Sequence, residues 1–77
     1  MPRFFFVLID GDEIDEDLEG IDLPDAGAAY QETLRAAREM MIEDLALAKP
    51  LHEKAFEVSD ESGCLLFRVD FKDVLHV

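Results

Sequence analysis

The chain has one cysteine, Cys64, no tryptophan, three prolines and only seven basic residues among 77. A single thiol rules out an internal disulfide, the usual support of a small secreted domain. Seven Lys and Arg against 19 Asp and Glu leave a formal net charge of −12. A phosphate backbone needs a basic surface, so nucleic acid is not expected as a partner. No apolar run approaches the roughly 18 residues of a membrane-spanning helix. There is no glycine-rich phosphate loop, no CxxC and no HExxH. What is present is 49% hydrophobic residues, including six phenylalanines. That is too much apolar side chain for a disordered chain. At 77 residues the expectation is one domain, residues 1–77, close to the lower limit for an independent core.

Phe4 to Ile9 is an unbroken aromatic, β-branched and leucine run. Its length suits a strand buried on both faces. Asp10, Gly11 and Asp12 follow it, with no small-residue cleavage site, so it reads as a strand of a cytoplasmic protein rather than a signal segment. From Asp10 to Asp25 there are nine carboxylates and no base. Within this stretch Ile21 and Leu23 alternate with polar residues, which predicts a short second strand, hairpin-paired with the first.

Asp25 is a good helix N-cap. Tyr30, Leu34, Ala37, Met41 and Leu45 recur at helical spacing, with Ala26, Ala29 and Ala48 completing an apolar stripe. Lys49-Pro50 ends it. Asp44 falls close to this stripe and is expected at its margin, unless the helix ends early. Residues 54 to 59 alternate as a strand, and Asp60 to Gly63 is a turn. Cys64 to Phe71 is the last strand, with Leu65, Phe67, Val69 and Phe71 on one face and Cys64 and Leu66 on the other. Val74, Leu75 and Val77 could pack as a short tail. The order predicts a two-layer α+β fold, ββαββ, with one long helix over one face of a four-stranded, mainly antiparallel sheet. The two hairpins meet through strand one and either strand three or strand four.

One helix covers one sheet face. If Phe4, Phe6 and Leu8 point to it, then Phe5, Val7 and Ile9 point away, joined by Cys64 and Leu66. Soluble monomers rarely expose such a patch, so the expectation is a homodimer through this face, with the C-terminal tail folding over it as the alternative.

The acidic stretch invites a calcium reading. Asp15, Asp17, Glu19 and Gly20 match the first half of an EF-hand loop, but its last ligand position is Ala26 and Pro24 interrupts it. Divalent-cation binding through Asp15, Asp17 and Glu19 therefore stands as an alternative. Cys64, with His52 or His76 as base, is a poor nucleophile, because Asp60 and Glu61 precede it and disfavour the thiolate. No catalytic residue, cofactor or enzymatic activity is expected. The acidity itself fits solubility around an oligomer, or an antitoxin-like, nucleic-acid-mimicking partner of a basic protein.

Met1-Pro2-Arg3 before the aromatic run, Asp10-Gly11, Glu19-Gly20, Leu23-Pro24-Asp25, the Ala/Arg-rich helix and the later Phe56 to Gly63 segment resemble a family of very short bacterial proteins that form a domain of unknown function. The resemblance covers essentially the whole chain. It implies a stand-alone ββαββ domain and no activity. It also implies that polar residues common in the family, often His or Asp, are replaced here by Val7 and Ile9.

Overall fold

The computed structural model of the chain describes residues 1–49 and 54–74. The element order is β1 (Arg3–Asp10), β2 (Glu13–Asp15), β3 (Ile21–Asp22), α1 (Ala26–Ala46), β4 (Lys54–Ser59), β5 (Leu65–Asp70) and α2 (Phe71–Val74). The fold is α+β: an antiparallel sheet ordered β2-β1-β4-β5, with β3 also on β1 and α1 packed against one face. The hairpins meet where β1 lies beside the first strand after the helix.

The predicted second strand is divided. β2 pairs with the far half of β1, setting Ile9 opposite Ile14 and Asp10 opposite Glu13. β3 pairs with its beginning, setting Phe4 opposite Ile21. The β1–β2 connection is the two-residue turn Gly11-Asp12. Gly11 has φ 61° at the first central position, as a type II′ hairpin requires.

The N-cap of α1 is Asp25, whose carboxylate accepts the Ala28 N–H at 2.8 Å. On the exposed side Arg35 is forked between Glu32 and Glu39. The buried stripe is Ala29, Thr33, Leu34, Ala37, Met41 and Asp44. The expected stripe is corrected at several positions, Tyr30 among them, which is 43% exposed. Leu45 is 61% exposed, and Asp44 lies in the buried stripe rather than at its margin, where Lys54 neutralises it. The helix also ends at Ala46, before Ala48, which takes φ 55°. Thr33 is buried without penalty, because its hydroxyl donates to the Ala29 carbonyl at 2.8 Å.

Beneath α1 lie Phe4, Phe6 and Leu8 of β1, Phe56 and Val58 of β4, and Phe67 and Val69 of β5. α2 adds Phe71 and Val74 to the same core, beside Leu34, Ala37 and Met41. The tail through Val74 therefore packs on the helix side, and among the described residues no element covers the opposite sheet face. The expectation for Leu75 and Val77 lies outside the described residues. Among the described residues no helix is long and apolar enough to cross a membrane.

Candidate interaction surface

Strand alternation sorts the sheet residues into two sets. With Phe4, Phe6 and Leu8 under the helix, Phe5, Val7 and Ile9 face away. Register extends this face across the sheet: Phe5, Val7 and Ile9 lie beside Ser59, Glu57 and Ala55, and Glu57 and Ala55 lie beside Arg68 and Asp70. Phe5, Val7 and Ile9 are each half-buried.

The register of β5 slips at Val58/Ser59, so that Ser59 pairs with Leu65 and Leu66 is the extra residue of a bulge. Residues paired across strands share a face. Leu65 therefore joins Ser59 on the uncovered side, 57% exposed, and not Phe67 under the helix as alternation alone predicts. Leu66 is 39% exposed, and Cys64, just before the strand, is exposed. Ile14, opposite Ile9, also belongs to this face and is 64% exposed. Sequence reasoning missed both Ile14 and Leu65. The polar-apolar-polar triplet Glu13-Ile14-Asp15 carried the signal for the first; nothing in the sequence marks the bulge that turns the second.

The charges on this face are paired. Arg68 contacts Glu57 and Asp70, each at 3.1 Å, and Arg3, opposite Asp22 in the register, contacts it at 2.9 Å. The Asp70 and Glu57 hydrogen bonds hold the Arg68 pKa above its ordinary value, and the Arg3 hydrogen bond lowers that of Asp22. Among the described strand residues, two arginines against three carboxylates give this face a net charge of −1, in a chain whose total is −12. β2 contributes to that separation, since its alternation sends Ile14 to this side and Glu13 and Asp15 to the other.

The three candidate cation ligands do not converge. Asp15 belongs to β2, opposite Leu8. Asp17 turns back onto the sheet, where one carboxylate oxygen accepts the Phe6 N–H at 3.1 Å and the other accepts those of Gly20 at 3.1 Å and Glu19 at 3.3 Å. Burial alone would raise its pKa, but these three backbone donors hold it below the ordinary 3.8. Glu19 contributes its carbonyl to Arg3. Among the described residues no group of three or more His, Cys, Asp or Glu is placed to hold a metal ion.

Asp60 organises the β4–β5 turn. Its Oδ1 accepts from the Ser62 hydroxyl at 2.6 Å, from the Ser62 N–H at 2.9 Å and from the Cys64 N–H at 3.0 Å. The Ser62 hydroxyl contributes most to lowering the Asp60 pKa, followed by the Cys64 N–H. Cys64, just before β5, thus has its backbone N–H held by the Asp60 carboxylate. His52 and His76 lie outside the described residues.

None of the curated proteins and none of the solved structures compared with the chain matches it. A family model does match, over residues 3–72, which span every strand and the long helix. With its aromatic first strand, capped helix and late hairpin inside that match, the chain belongs to the family described as a domain of unknown function, DUF6894.

Proposed function

We propose that this protein is a non-enzymatic, cytoplasmic self-association module whose uncovered sheet face docks on the same face of a second copy. The observation that carries the reading is the charge separation. The face with Phe5, Val7, Ile9, Ile14, Leu65 and Leu66 is nearly neutral, while almost all of the −12 charge lies elsewhere. A strongly basic partner would be drawn to the acidic surface instead; a nearly neutral apolar face suits a like face. Arg3 and Arg68 flank the apolar column, and arginine is enriched at interface centres.

The size of the face sets the strength. Strands about 4.8 Å apart and roughly 20 Å long give a four-stranded face of about 400 Å². That is about half of what a standard interface buries on each partner. The dimer is accordingly weak and in exchange with monomer. Its affinity rises with added salt, because two like-charged molecules must approach each other.

Sedimentation equilibrium over a range of micromolar concentrations tests this. The expected result is a monomer–dimer equilibrium that Val7→Lys abolishes and salt strengthens. A purely monomeric protein at the highest concentration, or a dimer indifferent to Val7→Lys, overturns the reading.

A further inference from the structure

We infer that Asp17 is a clasp: it holds the β2–β3 strap on the edge of β1, and its release exposes β1 to pairing with a second copy of the chain. This inference concerns the sheet edge and stands apart from the face just described.

In an antiparallel sheet the N–H groups of alternate residues point to the same side. On β1 the residues aimed away from β4 are Phe4, Phe6, Leu8 and Asp10. Phe4 is opposite Ile21 of β3, and Leu8 and Asp10 are opposite Asp15 and Glu13 of β2. Only Phe6 falls in the gap between the two short strands. There the Asp17 carboxylate takes the place of a strand backbone, with Oδ2 accepting the Phe6 N–H at 3.1 Å. Its Oδ1 meanwhile accepts the Gly20 and Glu19 N–H groups, closing the loop between β2 and β3.

The strap's other attachments lie at its two ends: the short β2 ladder at one, and at the other the β3 ladder with the exposed contacts of Arg3 to Asp22 and to the Glu19 carbonyl. All five residues of β2 and β3 are exposed. The strap also carries Glu13, Asp15, Glu16, Asp17, Glu19 and Asp22, which repel one another. Beneath it runs Phe4 to Ile9, six β-forming apolar residues without charge, glycine or proline. A segment of that composition with a free edge templates further pairing. The other edge of the sheet is protected differently: β5 carries a bulge and turns directly into α2.

The test uses the full chain carrying Asp17→Ala at neutral pH, followed by amide hydrogen exchange, thioflavin fluorescence and sedimentation. Protection of the Phe6 amide falls at least about tenfold while that of Val58, in the core, is kept, and thioflavin-positive, sedimenting assemblies grow. The same chain made by chemical synthesis with an N-methylated Phe6 lacks the edge donor and forms none. If Val58 protection is also lost, Asp17→Asn, which is isosteric and keeps one acceptor oxygen, is read by the same measurements. A Phe6 amide that stays protected, or assembly that proceeds as fast with N-methyl Phe6, overturns the inference.

Discussion

Lys54 Nζ lies 2.9 Å from Asp44 Oδ2, with only 12% and 11% of the two side chains exposed. The pair joins the two layers of the fold. Asp44 sits in the buried stripe of α1, and Lys54, opposite Asp10 in the β1–β4 register, lies on the helix side of the sheet. An acid in the same buried stripe as Ala37 and Met41 is met there by a cation from the sheet.

The consequence is asymmetric. Lys54→Met takes the Lys54 ammonium from a nearly buried carboxylate, and Asp44→Leu takes the Asp44 carboxylate from a nearly buried ammonium. Each is expected to cost about 3 kcal/mol, the usual result of breaking a buried pair from one side. The double variant restores a neutral contact and loses less than the sum by about 2 kcal/mol. Urea unfolding of the four proteins measures this coupling; additive losses would show that the two side chains act independently.

Two glycines with similar backbone angles separate steric from conformational cost. Gly20 has φ 73°, and a Cβ there would lie 2.7 Å from Arg3 Cγ, 2.9 Å from the Phe4 carbonyl oxygen and 2.9 Å from the Phe5 ring. Gly63 has φ 83° but open space around it. Gly63→Ala should cost about 1 kcal/mol, the left-handed penalty alone. Gly20→Ala should cost about 3 kcal/mol, because a backbone oxygen cannot step aside as a flexible side chain can. Thermal unfolding of both variants reads the difference, and equal losses would refute the steric argument.

These positions also show how far the sequence was legible. The capped helix, the aromatic strand, the late hairpin and the α+β layering follow from periodicity and turn chemistry, which are local. What stayed hidden depends on partners distant in the chain. Asp44 looked like a misfit because Lys54, ten residues on, pairs with it only after β4 docks. Strict alternation places Leu65 in the core, and one extra residue at Leu66 reverses its face. β2 was concealed within an acidic run, although Ile14 between Glu13 and Asp15 was a faint sign of it. The uncovered face was legible as Phe5, Val7 and Ile9; its charge balance was not, since the Arg3–Asp22 and Arg68–Glu57 pairs exist only across strands.

Acid should weaken the fold through Asp17. In the unfolded chain this carboxyl takes its proton near the ordinary 3.8; in the folded chain it does so at lower pH. The folded state therefore binds the proton more weakly, and the stabilisation is fully present above that ordinary value. It fades as pH falls from about 4 through the folded pKa. Asp60, lowered by the Ser62 hydroxyl and the Cys64 N–H, acts in the same direction over the same window. Asp17→Asn should flatten the stability-against-pH profile below pH 4 relative to the parent and leave its shape above pH 5 unchanged. A profile of unchanged slope in acid would mean that the Phe6, Gly20 and Glu19 donors contribute no linkage.

Arg68 offers the sharpest separation of association from stability. Its guanidinium contacts Glu57 and Asp70 on the uncovered face with 47% of the side chain exposed. Surface pairs of this kind contribute little to folding, so Arg68→Ala should leave the unfolding midpoint nearly unchanged. It also removes one of the two cations on the face and leaves Glu57 and Asp70 uncompensated. The net charge there goes from −1 to −2 on each copy, and two such faces repel across the contact. Self-association should therefore weaken several-fold at low salt and recover in part when salt screens the exposed carboxylates. Arg68→Lys keeps the charge but not the forked geometry, and should fall between the two. Sedimentation equilibrium at two salt concentrations distinguishes these cases. If Arg68→Ala dimerises as well as the parent at low salt, the neutrality of this face plays no part in holding two copies together.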